Sequence, residues 1–227
     1  MENQLSILNR TSNEYLRLVI LVSIIKGFVK IQIFVVLFIR ASILQADPYS
    51  LKNLSEYLTN LKLLKANFFQ VNADGSESSG IILLKRPGRM RFEYDKPDKT
   101  LVLVAAGALA IFDPKGDQEP MTYPVRNNPI SLLLNSEIDL INSGIVSNYM
   151  EASEEAVLII RDPITPESGS VELLFAGAQP ELKKFTVKNE NGTSTSIALE
   201  DTEYPKNIND TLFSIALEIN KRKDSDK

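Results

Sequence analysis

The clearest structural signal in the chain lies in LLKRPGRMRFEYDKP, residues 83–97. Apolar residues alternate with charged ones in its second half, so Met90, Phe92 and Tyr94 would point to one face of a strand and their neighbours to the other. Residues 86–89 supply a proline for the second position of a turn and a glycine where φ can be positive. Composition alone therefore predicts two antiparallel strands joined by a tight turn, and favours that turn over a functional site.

The same two-residue period continues along most of the chain after residue 66. Turn residues recur about every eight to twelve positions, which is typical of an antiparallel meander. A twisted sheet of about eleven strands tends to curl rather than stay flat, so the predicted fold is mainly β (α+β). The predicted strands are 66–72, 79–86, 89–95, 100–105, 108–112, 119–125, 145–153, 156–162, 170–176, 181–189 and 194–202, with a possible last one at Leu212-Phe213-Ser214-Ile215.

Two helical segments are predicted beside the strands. Asp47-Pro48 pairs a capping side chain with proline at the first helical position, and a helix over 48–65 follows. Asn128-Pro129 opens a short helical stretch over 130–135. The long helix carries one apolar stripe at three- and four-residue spacing, and the short one a leucine run. These residues are Leu51, Leu54, Leu58, Leu61 and Leu64 in the first and Leu132, Leu133 and Leu134 in the second.

Histidine and cysteine are absent from all 227 residues. Their absence excludes the Ser-His-Asp and Cys-His mechanisms, which need an imidazole near neutral pH. It also removes the usual ligands of zinc, copper, haem and iron–sulfur clusters. Any catalysis would therefore have to rest on carboxylates, lysines or hydroxyls, and a hydrolase is only a third hypothesis. We expect a protein that is not an enzyme and has no cofactor and no metal site.

The N-terminus has the features of an export signal. Its apolar runs, 18–25 and 31–39, are separated by Lys26 and Lys30. In one transmembrane helix these lysines would lie near the bilayer centre at a cost of about 2.5–3.5 kcal/mol each, so we interpret them as the charged region before an apolar signal core. Residues 1–46 are predicted to be an export signal, cleaved after Ala46, or a signal anchor.

Either form of the N-terminus exports the rest of the chain, because lysines and arginines before the apolar core keep that end cytoplasmic. The exported part is predicted to be a β domain, 47–219, with a charged tail, 220–227. Without the first 46 residues, which carry five of the 25 basic and two of the 29 acidic residues, the chain has 20 bases, 27 acids and a net charge of −7. No nucleic-acid partner is expected, since phosphates require a basic face.

Two groups of acidic residues are candidate sites. Residues 113–117 lack the regular acidic spacing and closing glutamate of a calcium loop, so a hairpin turn is favoured. Glu151, Glu154 and Glu155 could form a glycosidase pair, but their position between two strands favours an exposed hairpin.

Several short motifs occur in a characteristic order. The core consists of Arg86-Pro87-Gly88, Arg89, Arg91-Phe92, Tyr94 and Pro97, followed by Gly107 and Phe112-Asp113-Pro114. Weaker matches are Phe68-Phe69-Gln70, Tyr123-Pro124, Asn128-Pro129 and Asn207-x-x-Asp210-x-x-Phe213. Over residues 50–215 this order resembles the LolA family of periplasmic outer-membrane lipoprotein carriers. The chain departs from the family at residues 106–110, where an aromatic is usual, and in having no tryptophan.

The resemblance implies a curled, incompletely closed antiparallel β-barrel with helices lidding an apolar cavity for acyl chains. The family's functional arginine, which bonds to the lid helix and is tied to opening and to handing cargo on, falls on Arg86. Candidate ligand-binding residues are Arg86, Met90, Phe92, Tyr94, Phe112, Leu132 and Leu133, and candidate lid-helix residues are Leu51, Leu54, Leu58 and Leu61. The stretch 132–134 is also a candidate lid.

The implied function is that of a monomeric periplasmic carrier for acylated lipoproteins. It would receive them from an inner-membrane lipoprotein-releasing ABC transporter and pass them to an outer-membrane acceptor lipoprotein or membrane. The alternative is a membrane-tethered or exported β-rich protein that binds a lipid or partner without shuttling. Cleavage after Ala46 favours the shuttle, and a retained anchor favours the tethered form.

Overall fold

The computed structural model describes Lys26 and residues 48–116 and 119–225. The predicted export segment lies outside the described residues apart from Lys26, as does Asp47. Among the residues that are described, no helix is long and apolar enough to cross a membrane.

In the described part of the chain, eleven antiparallel strands form a single sheet. They are β1 (Leu63–Val71), β2 (Glu77–Lys85), β3 (Arg89–Tyr94), β4 (Leu101–Ala105), β5 (Ala108–Phe112), β6 (Met121–Pro124), β7 (Val146–Ala152), β8 (Glu155–Ile160), β9 (Gly169–Ala176), β10 (Glu181–Asn189) and β11 (Ser194–Glu203). Their order is β6-β5-β4-β3-β2-β1-β11-β10-β9-β8-β7, which leaves β6 and β7 unpaired with each other. The predicted curled and incompletely closed barrel of about eleven strands is confirmed.

The β2–β3 hairpin follows directly from the alternation in residues 83–97. Leu84 pairs with Met90 and Ile82 with Phe92, so apolar side chains of both strands share one face, which we call the inner face. Between the strands, Gly88 has a φ of 72°, a conformation that glycine adopts without steric cost. The predicted tight turn is therefore confirmed.

The first helix is shorter than predicted. It is α1 (Leu51–Asn60), and it begins after Ser50, whose side chain accepts a hydrogen bond from the Asn53 N–H. The prediction of a helix over 48–65 was wrong at both ends, because Leu61 is the C-cap and Leu64 already lies in β1. Leu64 is buried on the inner face, so its apolar character has a strand explanation.

The predicted short helical stretch is a 3-10 helix, Pro129–Leu134, which begins where Asn128 accepts a hydrogen bond from the Ile130 N–H. The chain continues through Ile138 and Leu140, which are buried in the same core as this helix. We call residues 129–140 the inner segment. Together with α1, this segment packs on the inner face of the sheet.

The C-terminus was predicted as a strand over 212–215, and this was wrong. It forms a 3-10 helix, Asp210–Phe213, and then α2 (Ile215–Ser225), which includes residues 220–225 of the predicted tail. Ile215 and Ile219 pack on the face of the sheet opposite the inner one, which we call the outer face. The sheet is therefore covered on both faces near β3–β5.

Candidate functional site

Arg86 stands at the start of the β2–β3 turn and is only 5% exposed. Its Nη1 donates a hydrogen bond of 2.5 Å to the carbonyl oxygen of Leu58, in the last turn of α1. Carbonyls at this end of a helix lack an intrahelical partner, so the guanidinium satisfies one of them. The same turn also contacts the inner segment, because the Gly88 N–H donates to the Leu134 carbonyl at 2.9 Å. The turn therefore joins both elements that cover the sheet.

The charge of Arg86 is held in an apolar environment. Burial lowers the pKa of Arg86 to about 10, so the guanidinium stays protonated at neutral pH. Its Nε has no hydrogen-bond partner within the described part of the chain. A buried guanidinium with an unmet donor is unusual, because buried polar groups are nearly always paired.

The basic neighbours of Arg86 contact the C-terminus on the outer face. The Asp210 carboxylate lies 2.7 Å from Lys85 Nζ and 2.5 Å from Arg89 Nη1. Lys85 Nζ also donates to the Ile208 carbonyl at 2.6 Å. The hydrogen bond from Lys85, followed by the positive charges of Lys85 and Arg89, lowers the pKa of Asp210. The hairpin is thus held between α1 on the inside and the C-terminal 3-10 helix on the outside.

Replacing Asp210 by asparagine should reduce the acid sensitivity of the fold. Because the folded-state pKa of Asp210 is lowered, its contribution to stability is present above the unfolded pKa of about 3.9 and is lost as pH falls through the folded value. Urea midpoints of parent and Asp210→Asn at pH 6 and pH 3 measure this. The parent should lose more stability than the variant over that interval, and equal losses would contradict the role of the two contacts.

Hydrogen bonds tie α1 to the inner segment. Ser55 Oγ donates to the Ile138 carbonyl at 2.8 Å and accepts from the Leu140 N–H at 3.1 Å. Thr59 Oγ1 accepts from the Ile138 N–H at 3.3 Å. One turn further on, Lys62 Nζ donates to the Ser136 carbonyl at 2.6 Å. The two covering elements therefore form one connected unit.

A second contact holds α1 to the sheet through Tyr57. The Tyr57 hydroxyl accepts a hydrogen bond from the Leu182 N–H at 3.1 Å and lies 3.2 Å from the Tyr204 hydroxyl. The ring of Tyr57 packs edge-on against Phe175, with centroids 5.8 Å apart. Tyr57 was not predicted as a site residue. Its sequence neighbours show an aromatic residue on an amphipathic helix, and they do not indicate that its hydroxyl bonds to Leu182, 125 residues away.

Tyr57→Phe should destabilise the protein by about 1–2 kcal/mol, because the Leu182 N–H loses its acceptor while the ring stays. The matched control is Tyr204→Phe, which removes only the exposed hydroxyl contact and should cost less. Urea denaturation of both variants gives the comparison. Equal losses would mean that the bond to Leu182 contributes nothing.

The space between α1, the inner segment and the sheet is nearly filled. It contains a void of about 20 Å³, which has room for little more than a water molecule. The lining is apolar except for the arginine. It comprises Leu58, Leu61, Leu64, Ile82, Leu84, Arg86, Met90, Leu133, Leu182, Phe185 and Leu199.

A larger, open pocket of about 260 Å³ lies on the inner face next to the start of the inner segment. Its polar edge includes Gln70, whose Oε1 accepts a hydrogen bond of 2.7 Å from the Tyr94 hydroxyl. Burial raises the pKa of Tyr94 to about 12, so this hydroxyl stays neutral. The apolar lining comprises Phe92, Val102, Val104, Leu109, Ile111, Ile130, Phe185, Val187 and Ile197.

The predicted site residues fall into three groups. Those at the two cavities are Arg86, Met90, Leu133, Leu58 and Leu61 around the void, and Phe92 and Tyr94 at the open pocket. Leu132 and Leu54 are buried in the same core but border neither cavity, and Leu51 is half-buried against it. Phe112 is placed differently from the prediction.

Phe112 lies on the outer face and does not line the cavity. It packs with Leu103 and Ala110 under α2, and the guanidinium of Arg222 lies 4.8 Å from its ring centroid. Along β5 the inward positions are Leu109 and Ile111, which border the open pocket. The error has a physical cause: both faces of this part of the sheet are covered, so an apolar residue does not identify the inner one.

The acidic groups form turns. Asp113 Oδ1 accepts a hydrogen bond from the Lys115 N–H at 2.8 Å, as in a hairpin turn, and Asp117 lies outside the described residues. Glu154 is exposed in the turn between β7 and β8, and Glu155 is exposed as the first residue of β8, as expected for an exposed hairpin. In the described ranges, no three carboxylates come together as a possible metal site.

The fold and the site together define a class of proteins: curled antiparallel half-barrels whose apolar inner face is covered by helical elements. Residues 59–216 match the family model "Outer membrane lipoprotein carrier protein LolA". The match covers more than half of the chain. This protein therefore belongs to the LolA family, and the sequence-based assignment is confirmed.

Relatives are similar at low identity. An outer-membrane lipoprotein carrier protein of Coxiella burnetii (strain RSA 331 / Henzerling II) is 32% identical over 112 residues, which are 46% of this chain and 53% of that protein. The chain thus spans about half the length of that relative. A protein of the same description from Chromohalobacter salexigens is 23% identical over 181 residues, 76% of this chain and 85% of that protein. The crystal structure of a LolA superfamily protein from Nitrosomonas europaea is similar with a TM-score of 0.40 and 11% identity, over 72% of this chain and 96% of that one.

Proposed function

We propose that this protein is a carrier that binds the acyl chains of lipoproteins in the periplasm and transfers them from the inner to the outer membrane. In this proposal α1 and the inner segment form a lid over the apolar inner face. The observation that carries the proposal is the hydrogen bond from Arg86 to Leu58, a polar contact that closes an apolar site. Membership of the LolA family supports the carrier role.

Such a carrier works through a competition between lid and cargo. Each methylene transferred from water to an apolar site lowers the free energy by about 0.8 kcal/mol. An acyl chain therefore needs an apolar site around it to cross an aqueous compartment. A rigid site of the same area would bind the chain and not release it. Without cargo, Leu58, Leu61 and Leu133 surround a void of only about 20 Å³. They take up most of the space that an acyl chain would need. Because cargo must displace them, its net affinity equals the intrinsic affinity multiplied by the fraction of molecules whose lid is open.

The proposed partners follow from the direction of transfer. Acylated lipoproteins would come from an inner-membrane lipoprotein-releasing ABC transporter and leave to an outer-membrane acceptor lipoprotein or to that membrane. Transfer is expected to require no catalysis by this chain, since the acyl chains change environment without any covalent step. We expect a monomer to be sufficient, because the inner face lies within one chain.

Mass spectrometry of protein purified from the cell envelope tests the proposal. The expected result is co-purified acylated species that are absent from a Phe92→Glu variant purified in parallel. Recovery of the protein with no acylated species, under conditions where a known lipid carrier retains its ligand, would overturn it.

The export part of the proposal concerns residues 1–46. We propose that they are an export signal cleaved after Ala46, with the β domain over 47–219 released into the periplasm. N-terminal sequencing of the exported protein should begin at Asp47. Retention of residues 18–44 would contradict a free shuttle and favour a tethered lipid-binding protein.

A further inference from the structure

Arg86 carries a buried hydrogen-bond donor that has no acceptor in the described ranges. Arg86 is 5% exposed, and this donor is its Nε. Native proteins rarely leave such a donor without an acceptor. Its Nη1 is already engaged by the Leu58 carbonyl, so the lid contact does not account for Nε.

The surroundings of Arg86 indicate the chemistry of the missing acceptor. The void that Arg86 borders is otherwise apolar, lined by residues such as Met90, Leu133 and Leu199. A ligand that fills this space must be apolar along most of its length and must bring one acceptor. An acyl group meets both conditions, because its chain is apolar and its carbonyl oxygen is its sole acceptor. That oxygen is uncharged, so it enters a dry site at a lower desolvation cost than a carboxylate or phosphate.

We propose that Arg86 Nε donates a hydrogen bond to the carbonyl oxygen of a cargo acyl ester when the lid has moved aside. This inference rests on the proposed carrier function and adds to it the chemical group that the protein recognises. Arg86 then has two separate roles: Nη1 holds the empty lid closed, and Nε selects acyl chains joined through a carbonyl. The guanidinium remains charged in both states.

The test uses two synthetic lipopeptides with the same peptide and the same two sixteen-carbon chains, one ester-linked and one ether-linked. Their dissociation constants are measured for the parent, Arg86→Leu and Arg89→Leu. The parent should bind the ester about tenfold or more tightly than the ether, since a hydrogen bond from a charged donor is involved. The preference should vanish in Arg86→Leu and persist in Arg89→Leu, whose side chain lies outside against Asp210. A change in the stability of the closed lid alters the affinity for both lipopeptides by the same factor. It therefore cancels in the ratio of the ester and ether dissociation constants.

Several outcomes would overturn the inference. Equal affinities of the parent for ester and ether would do so while leaving the carrier function standing, and an ester preference that survives in Arg86→Leu would assign the carbonyl to another donor. Displacement of the ester probe by inorganic phosphate, in the parent but not in Arg86→Leu, would assign Nε to an anion instead. If neither lipopeptide binds, the proposed function itself fails. Should Arg86→Leu not fold, Arg86→Lys gives the comparison. Its ester-to-ether affinity ratio should fall below that of the parent, because lysine carries all its donors on one terminal nitrogen and has no second nitrogen at the position of Nε.

Discussion

Arg86→Leu is expected to fold normally, to bind apolar ligands more tightly than the parent and to fail in passing them on. The variant loses the hydrogen bond that holds α1 closed when the site is empty. A bond from a charged donor contributes about 1.5–3 kcal/mol, so an ether-linked lipid, which has no carbonyl, should be retained about 10- to 100-fold longer. Folding should survive, since replacing a buried charge by an apolar side chain is often neutral.

The measurement is transfer of a labelled ether-linked lipid from loaded protein to acceptor vesicles. Arg89→Leu is the matched control, because it removes an arginine from the same hairpin without touching α1. Its release rate should equal that of the parent. Equal transfer by Arg86→Leu and the parent would show that the Leu58 contact does not govern release.

Phe92→Glu should lower lipid binding by about 100-fold or more, because an unpaired carboxylate would replace an aromatic ring at the apolar pocket. Phe92 is 8% exposed and lies edge-on to Phe68 at 5.4 Å, so little room exists for water around a new charge. The same substitution at Phe69 is the control. Phe69 is 40% exposed on the outer face of β1, and Phe69→Glu should leave binding unchanged.

Binding of an apolar fluorescent probe, measured after circular dichroism has confirmed folding, makes the comparison. Because Phe92→Glu also places a charge in the core, it could unfold the domain. Val102→Glu then replaces it, since Val102 borders the same pocket and is only half-buried. Parent-like binding by a folded inner-face variant would show that this face does not hold the ligand.

Strand positions could be predicted well from the sequence, and helix ends less well. Alternation along β3 fixes which residues share a face, because the period of a strand is two. Leu61 and Leu64 continue the spacing of the α1 stripe, yet they lie in a cap and a strand. An apolar residue fits both a helix stripe and the inner face of a strand, so the spacing of the leucines does not show where the helix ends. The contact of Arg86 with the Leu58 carbonyl lies near that end, and it is visible only in the folded structure.

The site was predictable in its central residue and incomplete around it. Arg86 could be found because its motif resembles that of a known family, whereas composition alone favoured a turn. Tyr57 and Ser55 have no sequence mark, since their partners are 125 and 83 residues away. Phe112 was assigned to the wrong face of the sheet, because α2 makes the outer face apolar as well. The apolar run over residues 212–215 fits a strand and a helix equally well, so its type could not be predicted.

In the proposed carrier, the unpaired edges of β6 and β7 would affect the range of cargo. A barrel with a complete ring of hydrogen bonds has a fixed circumference, because widening it would break a strand pair. In this chain the ring is interrupted between β6 and β7. In the proposed carrier this seam would spread while the ten strand pairs of the described residues stay intact, so the width of the interior would follow bulkier or slimmer lipid tails.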